Sequence, residues 1–312
     1  MIKVARLFQT YIWIIDTIRR HNGITLEALN AQWTRTQLSD GIPIHRNSFK
    51  RYCEAIEDTF RLKVECRKTS LGYQYFLSHT QELHSNSLKN WMLSTMTVAG
   101  IVSESRNIQD RILLEHVPSG ETFLSEITRA MEHGHTIHIE YQKFTDSEPY
   151  CIQVEPWCLK LFRQRWYLLA RRLPDGGMRT FALDRMLCVK SAEETFHLPE
   201  DFHAASFFRH SFGIFHAQDT PTPIIIRTYE GLGNYYRTLP LHHSQRHIGG
   251  TAEYDDFHLQ LHPTPDFIQE ILSQGNRIEV IKPESLRNEI RNKLKESLAR
   301  YITKNQYKSP QI

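Results

Sequence analysis

The chain has 312 residues, 40% of them hydrophobic, enough to bury more than one core and to divide into two or three domains. It contains no run of about 18 apolar residues, so no membrane-spanning helix is expected, and Gln9, Thr10 and Asp16 interrupt the region where a signal peptide would need an apolar stretch. The net charge of +3 is small but uneven: residues 1–80 hold twelve Lys/Arg against seven Asp/Glu, whereas the rest hold 26 against 28.

A basic N-terminal unit on a near-neutral body points to a polyanionic partner, with an ordinary solvated surface as the alternative. Residues 3–21 place Val4, Leu7, Phe8, Tyr11, Ile15 and Ile18 at helical spacing and end at Gly23, a left-handed stop. Thr25 is the expected N-cap of a second helix, with Glu27 in its first turn and Leu29 and Trp33 facing inward. After the link "SDGIPI" a third helix is predicted over 45–60, with Phe49, Tyr52, Cys53, Ile56 and Phe60 in one stripe.

The opposite face of that helix carries Asn47, Lys50 and Arg51, then Glu54 and Asp58. Duplex DNA would repel the acidic half, so only the first turns could enter a groove, as a helix-turn-helix recognition helix does. Arg and Asn also suit bidentate contacts with guanine and adenine. Two strands, about 62–66 and 73–77, are joined by "RKTSLG" with Arg67 and Lys68 at the tip. Three helices and a basic-tipped hairpin spell a winged helix-turn-helix, whose candidate contacts with double-stranded DNA are Arg46, Asn47, Ser48, Lys50, Arg51, Arg67 and Lys68. Residues 81–133 read as a mostly helical linker, apolar enough to pack on a neighbouring domain or a second subunit.

From 136 to 190 the hydrophobic period changes to two, with "TIHIEYQ", "YCIQVEPWCLKLF", "RWYLLARR" and "MRTFALDR" as strands of a small antiparallel barrel or tightly curled sheet. Residues 160–185 gather Lys160, Arg163, Arg165, Arg171, Arg172, Arg179 and Arg185 against two acids, Asp175 and Asp184. Cations interleaved with Tyr141, Trp166 and Tyr167 suit phosphates and stacked bases, although aromatic core and solvated arginines would give the same composition. Beyond "DTPTP", a strand at "IIIRTY", a helix at "GLGNYYRTL", strands near 244–251 and 256–262, a helix opened by Thr264 and Pro265, and a strand at "IEVI" make a βαββαβ, ferredoxin-like unit. A last helix follows Pro283, with Leu286, Ile290, Leu294 and Leu298 in register.

Enzymatic and metal chemistry are not expected. There is no GxSxG, Walker A loop or dinucleotide fingerprint, and Glu140, Asp146, Glu148 and Glu155 fall on alternating faces and turns rather than converging on Mg²⁺. His133, His135 and His138 straddle a helix end and a strand, and His258 and His262 would lie about 13 Å apart in an extended strand. Five cysteines, Cys53, Cys66, Cys151, Cys158 and Cys188, form no CxxC pair and read as reduced thiols of a cytoplasmic protein.

The segment over 139–186 resembles a WYL domain, named for the tripeptide present here as Trp166-Tyr167-Leu168. "IEY" at 139–141, "VEPWCLKLFRQRWYLLA" at 154–170, "MRTFALDRM" at 178–186 and "FHLPEDFHAASFFRHSFGIF" at 196–215 follow the family's order. "ILSQGNRIEVIKPESLRNEIRNKLKESLARY" at 271–301 is similar to the end of its C-terminal extension. The resemblance implies a bacterial transcription regulator of α+β multidomain build: a winged helix-turn-helix (1–80), a helical linker (81–133), an SH3/Sm-like WYL barrel (134–215) and a C-terminal α/β extension (216–312). It implies a nucleic-acid or nucleotide effector held by Tyr141, Arg163, Arg165, Trp166, Tyr167, Arg179 and Arg185, with no cofactor. The link "TRTQLSDGIPI" before the recognition helix is longer than in common members. One recognition helix reads only a half-site, so a homodimer is expected. The other reading is a nucleic-acid-binding accessory subunit that modulates a partner enzyme.

Overall fold

The computed structural model describes residues 2–36, 38–78, 120–217 and 219–302, with isolated positions at 95, 111 and 113. The chain divides into two units, Met1–Glu115 and His116–Ile312. Among the described residues no helix is long and apolar enough to cross a membrane.

In the first unit, helix α1 (Ile2–His21) is buried on more of its circumference than one stripe would require. Ile12, Ile14, Ile15 and Ile18 are all in the core, whereas Leu7, placed inside by the periodicity, is 40% exposed. The helix has neighbours on two sides: Trp13 packs edge-on against Trp33, while Tyr11 meets Tyr52 and Phe8 meets Phe60. After the two-residue strand β1 (Ile24–Thr25), Thr25 caps α2 (Leu26–Trp33), its Oγ1 accepting from the Ala28 N–H at 3.2 Å. The link to α3 (Arg46–Phe60) is tied back by side chains of α2. Asn30 donates to the Ile44 carbonyl at 3.0 Å and accepts from the Ile44 N–H at 2.8 Å, and Trp33 Nε1 donates to Ile42 O at 2.9 Å. Arg6 adds an ion pair with Asp40 in the same link. The lengthened segment is therefore held at its α3 end, where the outer face of the helix begins.

Strands β2 (Lys63–Thr69) and β3 (Gly72–Ser78) pair antiparallel, and β1 adds to β3, giving the order β1-β3-β2. Thr69 pairs with Gly72, so the turn is Ser70-Leu71. This corrects the sequence reading of the hairpin tip: Arg67 and Lys68 lie inside β2, opposite Gln74 and Tyr73. A two-residue turn lets the ladder run further than the turn-forming residue types alone suggest.

Of the stretch read as a helical linker, residues 81–94, 96–110, 112 and 114–119 lie outside the described residues. Its last part is helix α4 (Leu124–His133), closed by Gly134 in the left-handed conformation. Ile127 and Ala130 bury this helix in the core of a five-stranded antiparallel sheet with Ile137, Ile139, Val154 and Leu168. The strands are β4 (His135–Tyr141), β5 (Tyr150–Phe162), β6 (Arg165–Arg172), β7 (Met178–Ala182) and β8 (Met186–Thr195), in the order β7-β6-β5-β4-β8. The long β5 pairs with β4 through Tyr150–Val154 and with β6 through Val154–Phe162. A bulge between Pro156 and Cys158, where proline withholds a ladder donor, bends the strand. The curl brings β4 back to the edge strand: the Ala182 N–H donates to the Tyr141 hydroxyl at 3.3 Å.

A short helix α5 (Ala204–Phe207) leads to a four-stranded antiparallel sheet. Its elements are β9 (Thr222–Tyr229), α6 (Leu232–Thr238), β10 (Arg246–Gly250), β11 (Tyr254–Leu261), α7 (Pro265–Ser273), β12 (Ile278–Lys282) and α8 (Glu284–Ile302). This is the βαββαβ order expected, with strand order β10-β11-β9-β12 and a core of Ile224, Ile226, Phe257, Leu259 and Phe267. Along α8 only Leu286 and Ile290 are buried, while Leu294 and Leu298, in the same stripe, are 47% and 58% exposed.

The segment Ser211–Phe215 joins the two sheets of this unit. Gly213 takes φ +90°, and a Cβ there would sit 2.3 Å from Asp266 Oδ2. Gly213→Ala is therefore expected to lower stability by about 1–3 kcal/mol, from left-handed strain and the displaced carboxylate. Urea unfolding of the variant checks this, and an unchanged midpoint would contradict it.

Candidate functional site

On α3, Arg46, Asn47, Lys50 and Arg51 are exposed and Ser48 is half-buried, because the buried pair Phe49 and Ile56 turns the opposite side of the helix to solvent. Arg51 donates to Ser48 Oγ at 3.4 Å, and Lys50 stands 3.9 Å from Glu54 one turn on. Such an exposed pair contributes only a fraction of a kcal/mol and gives way readily to a phosphate. Among the described residues, no carboxylate lies within ion-pair distance of Arg46 or Arg51. On β2, Arg67 pairs with Glu65 at 2.8 Å and lies over the Phe76 ring, and its hydrogen bond holds the Glu65 carboxyl below the usual range. Lys68 is exposed beside it.

The seven cations of residues 160–185 have different fates in the second unit. Strands β5 and β6 reverse direction through Arg163 and Gln164, with Phe162 paired to Arg165 and both turn residues at positive φ, 48° and 63°. That handedness suits a twisted hairpin but is costly without glycine. Arg163 reaches across to an ion pair with Glu270 on α7, which holds the turn in place. Arg165 pairs with Asp184 at 3.5 Å, Arg171 with Glu155 at 2.8 Å and Arg172 with Asp175 at 3.3 Å. Glu155 also accepts from Trp157 Nε1 at 3.2 Å. Lys160 has no carboxylate at ion-pair distance among the described residues; its ammonium donates to Gly213 O and lies 3.9 Å from the centroid of the Phe208 ring.

Arg179 and Arg185 differ from the arginines on β6. Among the described residues neither has a carboxylate within ion-pair distance. Arg179 is exposed and donates to its neighbour Met178 O, at 3.2 Å. Arg185 closes the helical turn Leu183–Arg185 after β7, its carbonyl accepting from the Gln142 N–H at 3.1 Å. Its Nε is buried without a hydrogen-bond acceptor, and its guanidinium stacks 4.2 Å from the centroid of the Phe144 ring.

The aromatic residues also separate. Tyr141 is 5% exposed, its ring packed edge-on against Phe181 and Tyr150; this corrects its reading as a ligand contact, since its hydroxyl serves the fold. Trp166 is half-buried against the same core, and Leu168 is wholly inside it. Tyr167 is half-buried, paired with Lys160 on one side and Ala182 on the other. Burial raises its phenol pKa, and the charges nearby include Arg165, Asp184 and Arg185. The fold thus gathers Arg165, Tyr167 and Arg185, sends Arg163 to α7, and leaves Arg179 near His216, whose pKa is lowered by burial and by that arginine. Phe144 escaped the sequence reading. The signal for it was a single aromatic inside the polar, turn-forming stretch "QKFTDSEP".

Burial also pulls the Lys160 pKa down from 10.5 to about 8. In the unfolded chain the amine stays protonated to about pH 10.4. Between these values the unfolded state binds more protons, so stability rises with pH; below pH 8 both states are charged and the burial cost is constant. The rise in urea midpoint between pH 8 and 10 is expected to be smaller in Lys160→Met than in the wild type. Equal slopes would mean that the ammonium is as well hydrated in the fold as in the open chain.

A match to the WYL domain covers residues 122–191, and a match to the WCX domain covers residues 222–298. No curated protein matches the chain. Among solved structures, proteasome accessory factor B/C (PafBC) of Arthrobacter aurescens is similar at 17% identity and a TM-score of 0.36, over 95% of this chain and 47% of that one. A CRISPR Cas-related protein is similar at 12% identity and a TM-score of 0.38, over 81% of this chain and 71% of the other. The chain therefore spans about half the length of the PafBC chain.

Proposed function

The chain belongs to the WYL-domain family, its WYL domain followed by a WCX domain, and from that premise we propose that it is a ligand-responsive bacterial transcription regulator. In this reading the first unit is a winged helix-turn-helix that binds operator DNA through Arg46, Asn47, Ser48, Lys50, Arg51, Arg67 and Lys68. The five-stranded sheet is an SH3/Sm-like sensor barrel and the WCX part a ferredoxin-like extension. The protein acts in the cytoplasm as a homodimer, since one recognition helix reads a half-site, and it carries out no catalysis.

The observation that carries the sensor assignment is the division of the basic stretch. Arg163, Arg165, Arg171 and Arg172 each have a carboxylate, whereas Arg179 and Arg185 have none within ion-pair distance among the described residues. A guanidinium without an internal counter-charge is the natural partner of a phosphate oxygen. We assign the effector as a nucleotide or a short single-stranded nucleic acid, bound by Arg185 with Tyr167 nearby and by Arg179 beside His216.

Changing both Arg179 and Arg185 to Ala is expected to abolish the response to effector while leaving operator affinity of the unliganded protein within a few-fold. The salt dependence of oligonucleotide binding should flatten by about 0.7 per lost contact. A well-folded double variant that still responds would move the sensor elsewhere. For the first unit, Arg51→Ala is expected to weaken the preferred duplex by about 1–3 kcal/mol and random duplex by less. Genomic mapping of bound sites followed by affinity titration reads this. Salt-sensitive binding with no preferred duplex would support the accessory-subunit reading instead.

A further inference from the structure

The loop between β4 and β5 is ordered by its own polar groups. The Asp146 N–H donates to Lys143 O at 3.1 Å, the Gln142 amide reaches Ser147 O at 3.4 Å, and Lys143 pairs with Asp146 at 3.4 Å. Phe144 sits in this polar turn and is 78% exposed, although a polar side chain would fit there without exposing apolar surface to water. Among the described residues no aromatic ring packs on it; the contact it makes is with the Arg185 guanidinium. That arginine is fixed at its backbone by the Gln142 N–H, at the start of the same loop. One part of the ring therefore braces the arginine, and the rest is open to solvent. A second cation, Lys143, stands over Tyr150 on the same loop.

We propose that Phe144 is the nucleobase platform of the sensor, stacking a base of the effector while Arg185 beneath it holds the adjoining phosphate. This deepens the sensor assignment and rests on it. A bare phosphate or polyphosphate would use the guanidinium and have no use for a flat apolar ring. A base has a π-face whatever its identity, so a phenyl ring recognises the class without selecting a sequence. The effector is accordingly a nucleotide or single strand with an accessible base, and an inorganic anion is a poor substitute.

The test uses the full chain with random duplex DNA present in excess to occupy the first unit. Its probes are a fluorescein-labelled oligothymidylate and an abasic oligomer of equal phosphate count, with inorganic tripolyphosphate as competitor. The wild type should bind the base-bearing oligomer on the order of tenfold more tightly than the abasic one. Phe144→Ala should erase that ratio, lowering binding of the base-bearing oligomer far more than that of the abasic one, whose contact is with the arginines, and, since the side chain is exposed, should keep the thermal midpoint. Phe144→Trp should keep the ratio. A ratio that survives Phe144→Ala overturns the platform, as does a wild type that binds both oligomers equally while still requiring Arg179 and Arg185. If binding of both oligomers is untouched by changing both arginines to Ala, the sensor assignment itself fails, and the platform with it.

Discussion

The carboxylate of Asp266 ties down the segment that joins the two sheets of the second unit. It accepts the N–H groups of Ile214 and Phe215, at 2.7 and 3.2 Å, in the segment that crosses from the five-stranded to the four-stranded sheet. The same segment is gripped from both sides. Lys160 of β5 donates to Gly213 O and Thr180 of β7 to Ile214 O, while Thr264 donates to Phe212 O. Phe212 itself enters the core of the four-stranded sheet with Phe162 packed against it from the end of β5. A backbone pinned by side chains from both sheets has little freedom to let one move without the other. Glycine at 213 follows from this crowding, because the carboxylate occupies the space a Cβ would need.

Charge is distributed by the same logic. The arginines on and beside β6 meet acids contributed by β5, the turn after β6, the turn after β7 and helix α7. In three of these pairs the acid is nearly buried and the arginine partly in solvent, and together they decide which cations still carry an uncompensated charge. Lys160 is removed from that set in another way, by burial against Phe208 and a carbonyl. What remains among the described residues is two arginines, Arg179 and Arg185, far fewer than the basic composition of residues 160–185 implies. Thr180, bonded to the connecting segment, is the immediate neighbour of Arg179.

Much of the molecule could be read without coordinates. The Thr25 cap, the limits of α3, the alternation of β4 and the βαββαβ order of the C-terminal part all follow from local rules: a side-chain acceptor for an open helix end, a period of 3.6 or 2, and a turn residue where the pattern stops. The ordered motif around Trp166-Tyr167-Leu168 likewise needed only the chain. These signals survive in one dimension because hydrogen bonds and side-chain alternation within an element are set by near neighbours.

The partners of the arginines were beyond such reading. Arg163 meets an acid 107 residues away, and nothing local to either side chain marks the pair. Tyr141 alternates with polar neighbours as a surface or a core residue would, and only the curl of the sheet carries its hydroxyl to Ala182. Leu294 and Leu298 share the stripe of Leu286 and Ile290, yet they stand exposed where those two are buried. The elements, their order and the clustering of basic residues are legible in the chain alone. Tertiary structure decided which of those residues keep an unanswered charge, because ion pairing and burial depend on which distant surfaces meet when the sheets close.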